Sequence, residues 1–496
     1  MSEVSTATTT TTYPRPSLAE IISLAKRRGF VYPTSEIYGG IANTYDYGPL
    51  GAELLRQIKN SWWQTFISNR DDVVGLDTAI VLHPQTWVAS GHVDSFNDPL
   101  VEDTVTHQRY RADHLVETWI VAQSLDSTGR PATLTGDQLR FWMDHLAAKK
   151  VENLSVSELG EIIKFYQIPS PDGHPVTEPK QFNLLFETSV GSVNDAKSHV
   201  YLRGETAQGI FSDFKQVLDT TRVKLPFGIG NIGKSFRNEI TTGQFVFRTL
   251  EFEQAEIEYF FDPTQNDWAQ LLDDWKQAMW QWVTQELGIQ PNNLQWRRHT
   301  DQERSHYSRD TYDLDYRYPF GFKELWGVAY RTDYDLTQHM KYSGQSLEYS
   351  DPQSNRAFIP HVIEPALGIN RVLLMMLCDA YWSDPAHQRL VLKLRPEFAP
   401  HQVAVFPLLK NKAELVTQAR QVFDHLRTKF RLAWDDRGNI GKRYLYQDEV
   451  GTPWCVTIDF QSLTDATVTV RDRDTTRQER VPIDMIHEYL LKKLAN

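Results

Sequence analysis

The amino-terminal part of the chain shows two helical patterns followed by a strand-like one. The run LAEIISLAKRRGF, from Leu18, places apolar residues at helical spacing and ends in three cations and Gly29, as helix carboxyl ends often do. The run AELLRQIKNSWWQTFI, from Ala52, also has helical spacing, whereas residues 72–82 are rich in β-branched side chains. We therefore predict helix, helix and strand in this order.

The pattern changes twice further along the chain. Between about residues 115 and 180 it consists of short, polar, helix-prone pieces, which we interpret as an insertion. From Phe182 onward, alternating runs separated by turns predict an antiparallel sheet, with a helix at 266–287. About the last hundred residues alternate strand, helix and strand, which predicts a small α/β domain. We divide the chain into a flexible tail, a body with an insertion at about 105–180, and a carboxyl-terminal domain: residues 1–15, 16–392 and 393–496.

The composition is that of a folded protein in a reducing compartment. Hydrophobic residues make up 41% of the 496 residues and charged residues 23%, with 14 Trp, 21 Tyr and 24 Phe, which excludes a disordered or fibrous chain. The two cysteines, Cys378 and Cys455, form no C-x-x-C pair, so the sequence offers neither a disulfide framework nor a cysteine zinc site. The start of the chain is polar and Thr-rich, and no run of 18 apolar residues occurs. We expect a cytoplasmic protein that is neither secreted nor bound to a membrane.

The net charge of −12 is unevenly distributed. From Lys393 to Asn496 there are 17 basic and 14 acidic residues, a balance of +3, whereas the preceding part carries −15. A weakly basic carboxyl-terminal domain suits contact with phosphates, but a solvated surface of mixed charge explains this balance equally well. Charge alone therefore leaves the partner open.

One segment matches two phosphate-binding motifs. Residues Gly228 to Ser235, GIGNIGKS, fit the P-loop pattern G-x-x-x-x-G-K-S and, over their first six residues, the dinucleotide-binding pattern G-x-G-x-x-G. Both motifs work only when the glycine turn opens a helix whose amides face the phosphates. The following residues, FRNEITTGQFVFRTLEFEQ, alternate as strands do. We therefore reject a P-loop and attribute these glycines to a close backbone approach beside a sheet.

The next residues favour nucleotide and amino-acid chemistry. Alternation predicts that Arg237 and Glu239 share one face of a strand. A turn at Thr241 to Gln244 would bring back a second strand with four more side chains on that face: Arg248, Phe252, Gln254 and Glu256. Guanidinium groups suit phosphates, a phenyl ring suits a purine, and carboxylates suit an amino group. An exposed face with cross-strand ion pairs explains this hairpin equally well when it is taken alone.

Several segments carry a family resemblance. The chain resembles a class II aminoacyl-tRNA synthetase at YLRGETAQGIF (201–211), FRNE (236–239), FRTLEFEQAEIE (247–258) and HVIEPALGINR (361–371). Over nearly its full length it is similar to the glycyl-tRNA synthetase family of the single-polypeptide, homodimeric type. The further matching segments are RRGFVYPTSEIYGGIANTYDYGPLG (27–51), VASGHVDSFNDP (88–99), RADHL (111–115), YDLTQHMKYSG (334–344), KRYLYQDEVGTPWCVTIDF (442–460) and VTVRDRDT (468–475). The last two resemble that family's anticodon-binding domain.

The resemblance implies an α+β fold, in which helices flank the antiparallel β-sheet of a class II catalytic domain with a helical insertion, followed by an α/β anticodon-binding domain. It implies a glycine–tRNA ligase that converts glycine and ATP to glycyl-adenylate and pyrophosphate, then transfers glycine to the 3′-terminal adenosine of tRNA(Gly). The implied partners are ATP with Mg²⁺, glycine, tRNA(Gly) and a second copy of the chain, without zinc, DNA or a membrane. GHVDSFNDP resembles the first class II motif, which lies at the subunit interface in this family.

The resemblance assigns an ATP site residue by residue. Arg237 would bind the α-phosphate and stabilise the charge that develops there, and Arg371 would hold the γ-phosphate, so both are implied to be catalytic together with Glu239. Phe252 would stack on adenine while Glu239 accepts from its amino group, and Glu324 would lie near ATP and its Mg²⁺. The full set implied for ATP is Arg237, Asn238, Glu239, Phe247, Arg248, Thr249, Leu250, Glu251, Phe252, Glu324, Leu325, Gly368, Ile369, Asn370 and Arg371.

The resemblance also assigns a glycine site. Glu205, Glu256 and Glu364 would bind the ammonium group, and Arg331 and Arg111 would approach the carboxylate. Buried carboxylates repel one another unless a cation joins them, so we expect bound ammonium to order the pocket. Because exclusion by size suffices to select glycine, we expect no editing domain. The full set implied for glycine is Arg111, Glu205, Phe252, Glu253, Gln254, Ala255, Glu256, Arg331, Glu364, Pro365, Ala366, Leu367 and Gly368.

Some positions depart from the family's usual pattern. Gly204 stands where relatives commonly have proline, Ala366 where many have serine, and Asn370 where others have glycine or aspartate. No cysteine pair precedes Arg111, so we expect His107 to be a surface residue rather than a zinc ligand. Three rival interpretations are a non-catalytic paralogue, a class II synthetase for another amino acid, and an activating enzyme that uses no tRNA. The motif arginines, the acid-rich pocket and the carboxyl-terminal resemblance argue against them in turn.

Overall fold

The computed structural model describes residues 15–122, 134, 136–146, 151, 154–191, 199–239, 244–300, 308–351, 355–385 and 387–495. Most of the flexible tail expected from the sequence, residues 1–14, lies outside these ranges. Within them, no helix is both long enough and apolar enough to cross a lipid bilayer.

The first segment contains both predicted helices. Its elements are α1 (Leu18–Arg28), β1 (Val31–Pro33), β2 (Tyr45–Tyr47), α2 (Pro49–Trp63), β3 (Val73–Gly75), α3 (Pro84–Ala89), α4 (His92–Ser95) and β4 (Asn97–Glu102). Helix α1 begins at a capping box of Ser17 and Glu20 and ends at Gly29, whose φ of 79° is left-handed. The strand predicted at 72–82 is shorter than expected, because its pairing with the central sheet ends at Gly75.

The region of the predicted insertion is mainly helical, as expected. Its elements are β5 (Arg109–Arg111), α5 (Ala112–Ala122), α6 (Gly136–His145), α7 (Val156–Tyr166), β6 (Lys180–Asn183), β7 (Phe186–Ser189) and β8 (His199–Leu202). Strand β4 pairs with both β5 and β6, so the three helices leave from and return to one small sheet. Their apolar sides form a core of their own around Trp142, Leu159 and Ile162.

A seven-stranded sheet forms the centre of the molecule. The elements from here to the last domain are α8 (Ala207–Thr220), β9 (Phe227–Phe236), β10 (Glu251–Phe261), α9 (Trp268–Gln281), β11 (Leu294–Arg298), β12 (Asp310–Tyr318), β13 (Gly321–Thr332), α10 (Tyr334–Ser343), β14 (Tyr349–Ser350), β15 (Ala357–Phe358), β16 (His361–Gly368), α11 (Ile369–Ala380), β17 (Tyr381–Asp384) and β18 (Arg389–Leu392). The sheet order is β11, β12, β13, β16, β10, β9, β3, and every pair is antiparallel except β3 with β9. The predicted antiparallel sheet and the helix near 266–287 are therefore confirmed.

The two faces of this sheet have different roles. Ala255 and Ile257 of β10 pack into the main core with side chains of α2, α9 and α11, including Trp62 and Trp282. On the other face, α8 and α10 cover a smaller apolar core that includes Phe211. Because side chains alternate along a strand, β10 presents its intervening polar residues to this second face.

The hairpin predicted around residues 237–256 is only partly correct. Strand β9 ends at Phe236 and β10 begins at Glu251, so the prediction that Arg237, Glu239 and Arg248 lie on strands is wrong. The Arg237 amide still donates to the carbonyl oxygen of Leu250, in register with the ladder. The ladder ends there because the next amide, of Asn238, donates to Leu184 in the segment between β6 and β7. Most of the predicted turn, residues 240–243, lies outside the described residues.

The glycine-rich segment GIGNIGKS lies within β9, which confirms that it is not a P-loop. A Cβ atom on Gly230 would lie 2.2 Å from Ile67 Cδ1, and one on Gly233 would lie 1.9 Å from Arg203 Nη2. These glycines therefore allow neighbouring side chains to approach the strand backbone closely.

The last domain has the predicted α/β character. Its elements are β19 (Val403–Pro407), α12 (Ala413–Leu426), β20 (Leu432–Trp434), α13 (Ile440–Val450), β21 (Trp454–Ile458), α14 (Ser462–Asp465), β22 (Thr467–Asp472), β23 (Gln478–Pro482) and α15 (Ile486–Ala495). The sheet order is β20, β19, β21, β22, β23, with parallel and antiparallel pairs.

Both cysteines are buried thiols, Cys378 in α11 and Cys455 in β21.

Candidate functional site

A cleft opens on the polar face of the central sheet, against β10, β16 and the first turn of α11. It is lined by Glu205, Arg237, Glu239, Val246, Phe247, Arg248, Thr249, Phe252, Gln254, Glu256, Glu324, Glu364, Ala366, Leu367, Gly368, Asn370 and Arg371. All but Val246 belong to the sets that the resemblance implies for ATP and glycine. A cleft with few apolar walls and several charged side chains suits a polar, charged ligand.

The remaining implied residues do not line this cleft. They are Arg111, Asn238, Leu250, Glu251, Glu253, Ala255, Leu325, Arg331, Pro365 and Ile369. Strand alternation explains part of this set, because Glu251 and Glu253 pair with Lys234 and Lys59 while Ala255 lies in the main core. A contiguous run of strand residues therefore contributes every second side chain to the cleft.

Arg237 links two parts of the cleft. Its Nε donates a hydrogen bond to the carbonyl oxygen of Gly204, at 3.0 Å. Its guanidinium lies 5.3 Å from the ring centroids of both Phe96 and Phe252. One carbonyl and two aromatic rings thus fix the plane of a cation that can bind a phosphate through its remaining donors.

Arg371 and Glu324 form a second charged pair in the cleft. Arg371 opens α11, and its Nη1 lies 3.0 Å from Glu324 Oε1, while its guanidinium lies 4.4 Å from the ring centroid of Phe247. The Arg371 charge holds the pKa of the Glu324 carboxyl below its ordinary value. Glu324 is therefore kept ionised beside a cation that faces the cleft.

Glu239 and Phe252 flank the space beside Arg237. The Glu239 carboxylate pairs with Arg248 Nε at 2.8 Å. Both residues line the cleft, as does Phe252 on β10. The structure thus brings together Glu239 and Phe252, the carboxylate and the ring that the resemblance assigns to adenine binding.

Four carboxyl groups are buried together deeper in the site. Glu205, Glu256, Glu258 and Glu364 are each at most 8% exposed. Arg331, which is also buried, contacts this cluster: its Nη1 donates to Glu364 at 2.8 Å. Arg331 also makes two 2.8 Å hydrogen bonds to Asp335, so a single guanidinium serves several acids.

The acids differ in how readily they ionise. Burial and the neighbouring Glu205 raise the pKa of Glu256, and burial and Glu364 raise the pKa of Glu258 well above its ordinary value. Burial raises the pKa of Glu364 to about 8, against the opposing effect of Arg331. Although burial also acts on Glu205, His92 and Arg331 hold the pKa of that carboxyl below its ordinary value. The cluster therefore contains one carboxyl group with a lowered pKa, Glu205, and three with raised pKa values. A bound cation would stabilise this arrangement.

Sequence reasoning missed some residues of this cluster. Glu258 follows Glu256 by two positions on β10, so strand alternation could have revealed it. Its two carboxyl oxygens are buried without a hydrogen-bond partner among the described residues. Gln208 donates to Glu205 at 2.9 Å and to Asp335 at 3.0 Å, a bridge between distant segments that no sequence pattern signals.

The residues that depart from the family pattern lie in or beside the cleft. Gly204 supplies the carbonyl that Arg237 contacts, and Ala366 lines the cleft. Asn370 accepts from the Glu253 amide at 2.7 Å, which ties α11 to β10. His107 is a surface residue, as expected, because its side chain is 75% exposed.

Arg111 lies beside the cleft rather than in its wall. It pairs with Asp98 at 2.9 Å and with Asp113 at 2.6 Å, where β5 leads into α5. Burial lowers the pKa of Arg111, but the charges of Asp113, Asp98 and Glu239 together raise it above its ordinary value. Arg111 therefore joins α5 of the insertion to β4, through Asp113 and Asp98.

Comparison with known proteins agrees with both halves of the chain. Residues 402–493 match the family of anticodon binding domains. A glycine–tRNA ligase of Caldanaerobacter subterraneus subsp. tengcongensis is 47% identical over 482 residues, which cover 96% of this chain and 98% of that protein. Those of Acetivibrio thermocellus and Geobacillus thermodenitrificans are 45% and 46% identical, covering 96% and 97% of this chain and 98% of each relative.

These matches extend through the catalytic body and the carboxyl-terminal domain together. The identities lie far above the level at which fold alone would be shared, and the cleft contains the side chains on which the resemblance was based. The mixed α/β architecture with its antiparallel central sheet is that of a class II synthetase. The chain belongs to the glycine–tRNA ligase family.

Proposed function

We propose that the chain joins glycine to tRNA(Gly) in two steps at the cleft on the central sheet. The observation that carries this proposal is the presence, in one cleft, of Arg237 and Arg371 for the phosphates of ATP and of three acids for the ammonium of glycine. A single pair of these groups would not identify the function, because surface ion pairs are common. Their combination in a chain of this family supports the assignment.

The first step forms glycyl-adenylate. A carboxylate oxygen of glycine attacks the α-phosphorus of ATP, the bond to the β-phosphate oxygen breaks, and pyrophosphate leaves. Arg237 would stabilise the negative charge that grows on the α-phosphate, because its guanidinium is already oriented by Gly204 and two rings. Arg371 would hold the terminal phosphate and so keep the reacting atoms in line.

The buried acids would select glycine through its ammonium group. Glu205, Glu256 and Glu364 line the cleft, and Arg331 compensates only part of their charge. A bound ammonium would supply the missing positive charge and would favour the ionised forms of Glu256 and Glu364, whose pKa values are raised. A larger amino acid would have to displace these buried groups, so size and charge would act together in selection.

Mg²⁺ would accompany ATP. When bound with ATP, it would supply positive charge that stabilises the departing pyrophosphate. Glu324 fits this ion, because Mg²⁺ usually binds through one or two carboxylates together with substrate phosphates, and Glu324 is kept ionised in the wall of the cleft. Among the described residues, no group of three or more side chains could hold a metal ion by itself.

The second step would transfer glycine to tRNA. The 3′-terminal ribose hydroxyl attacks the carbonyl carbon of the adenylate, an ester forms and AMP leaves. The carboxyl-terminal domain would bind the anticodon, since it matches anticodon binding domains. We also propose a homodimer in the cytoplasm, with GHVDSFNDP near the subunit interface. A stable monomer in light scattering at micromolar concentration would contradict the dimer.

ATP–pyrophosphate exchange with each of the twenty amino acids tests this function. Exchange with glycine alone, together with charging of tRNA(Gly), is the expected result. Exchange with a different amino acid would identify another synthetase. Exchange without tRNA charging would favour an activating enzyme, and no exchange would favour a non-catalytic paralogue.

A further inference from the structure

His92 lies in direct contact with the glycine part of the site, although it does not line the cleft. It opens the short helix α4 and is 9% exposed. Its ring packs edge-on against Trp87, at 5.2 Å between centroids, and tilted against Phe96, at 5.0 Å. Its carbonyl oxygen accepts from Asn183 Nδ2 at 3.1 Å. The position of the imidazole is therefore fixed from three sides.

Two polar contacts hold the ring nitrogens of His92. Nδ1 lies 2.8 Å from the Ser90 hydroxyl oxygen, which also lies 3.3 Å from the Trp87 carbonyl oxygen. Nε2 faces Glu205 Oε2 at 3.4 Å, and an ionised carboxylate can only accept. Nε2 is therefore the nitrogen that donates towards Glu205, while Ser90 holds the other side of the ring.

We propose that His92 is a positioning residue for glycine: its imidazole, held by Ser90, contacts Glu205 and keeps that carboxylate aimed at the substrate ammonium. This inference rests on the proposed function, in which Glu205 contacts that ammonium. His92 itself touches no substrate in this account. It acts through Glu205 alone.

The arrangement of charges explains why the contact with His92 matters for Glu205. The hydrogen bonds of Arg331 go to Asp335 and Glu364, and Gln208, which bonds Glu205, is neutral. The other acids of the cluster have raised pKa values, whereas the pKa of Glu205 is lowered, with His92 the foremost of the lowering causes and Arg331 after it. Glu205 is thus the carboxylate already charged when glycine arrives. Without the His92 contact, only Arg331 and Gln208 would oppose the effect of burial, and Glu205 would bind ammonium more weakly.

The test compares four single variants in ATP–pyrophosphate exchange. His92→Phe keeps a ring between Trp87 and Phe96 but removes both polar contacts, and His92→Gln keeps a donor without the ring. Ser90→Ala removes only the partner of Nδ1. His174→Phe is the matched control, because His174 also pairs with a carboxylate, Asp103, but within the insertion.

The KM for glycine separates positioning from a general structural effect. In His92→Phe we expect it to rise about tenfold or more, as for loss of a hydrogen bond to a charged group, while the KM for ATP changes less than about twofold. His92→Gln should recover part of the loss, Ser90→Ala should show a smaller rise, and His174→Phe should match the wild type. A variant that fails to fold would lose both substrates, and Ser90→Ala then carries the test.

The pH dependence gives a second readout. Without the His92 contact, Glu205 would take up a proton more readily, so the glycine KM of His92→Phe should fall more steeply than that of the wild type as pH rises from about 6.5 to 8.5. The other titratable or charged groups around this pair are common to both proteins: Arg237, Glu256, Glu258, Arg331, Asp335, His339 and Glu364. Their titration therefore cancels in the comparison.

Two outcomes overturn the inference. One is a glycine KM for His92→Phe within about twofold of the wild type, and the other is an equal rise in the KM for glycine and for ATP. Glu205→Gln distinguishes this failure from failure of the proposed function. If Glu205→Gln raises the glycine KM and His92→Phe does not, only the role of His92 is wrong. If neither does, the glycine site itself is misassigned.

Discussion

Arg237 donates a hydrogen bond from Nε to the carbonyl oxygen of Gly204, so the cation assigned to the α-phosphate is tied to the residue before Glu205. The two halves of the site are thereby joined through one loop. A shift of the phosphate-binding guanidinium would move the backbone that carries an ammonium-binding acid. We therefore expect the binding of ATP and of glycine to be coupled.

Arg237→Ala tests the phosphate half of the site. Removal of one preorganised group that stabilises developing charge costs about 100-fold or more in rate, and we expect a loss of this size in glycine-dependent ATP–pyrophosphate exchange. Arg427→Ala, in an exposed ion pair of α12, is the control and should retain exchange. Near wild-type exchange by Arg237→Ala would remove Arg237 from its assigned role.

Lys234→Ala separates this site from a P-loop. In the P-loop interpretation this lysine would contact the ATP phosphates, and its loss would abolish nucleotide chemistry. In the structure Lys234 is exposed on β9 and pairs with Glu251. We expect exchange within about twofold of the wild type, because surface ion pairs contribute little. A loss comparable to that of Arg237→Ala would revive the rejected motif.

Glu258→Gln tests the buried acid cluster through stability. Burial raises the pKa of Glu258 well above its ordinary value, so the folded chain keeps a proton that the unfolded chain releases. Between those two pKa values the folded state binds more protons, and the free energy of unfolding falls as pH rises. The amide removes this titration while keeping the shape. We expect a smaller fall in Tm from about pH 5 to 8 than in the wild type.

The control for this measurement is Glu488→Gln, on the exposed side of α15. Its Tm profile should follow that of the wild type. A Glu258→Gln profile as steep as the wild type's would show that Glu258 is ionised in the folded state. The assignment of a raised pKa to Glu258 within the buried acid cluster would then be wrong.

Glycine binding should release protons. The pKa of Glu364 is raised to about 8, so at pH 7 this carboxyl is mostly protonated in the free protein. A bound ammonium favours its ionised form, which lowers that pKa and expels a proton. Calorimetry with glycine and a non-hydrolysable ATP analogue, in buffers of different ionisation enthalpy, should detect release of up to about one proton at pH 7. Proton uptake would contradict the assigned ammonium site.

Much of the fold could be predicted from local patterns. Helix α1 has both its capping box and its terminal glycine in the sequence, and alternation identified β10. Helix α13 was missed, because the residues it buries include Arg443, Gln447 and Asp448, which give no apolar stripe. Hydrophobic periodicity cannot reveal a helix whose buried side is held by polar contacts.

The site shows the same division between local and distant information. The resemblance supplied most residues that line the cleft, and alternation decides which members of a strand run point into it. The positions of Arg237 and Glu239 beyond the end of β9 depend on backbone hydrogen bonds to other segments. The contact between His92 and Glu205 likewise joins segments far apart in the chain. Tertiary pairing of this kind leaves no periodic signal in the sequence.

A crystal structure with a non-hydrolysable glycyl-adenylate analogue tests the central claim most directly. The account predicts the adenosine beside Phe252, the phosphate mimic within hydrogen-bond distance of Arg237, and the amino group among the carboxylates of Glu205, Glu256 and Glu364. An analogue bound elsewhere, or bound here with those carboxylates turned away from its amino group, would contradict it.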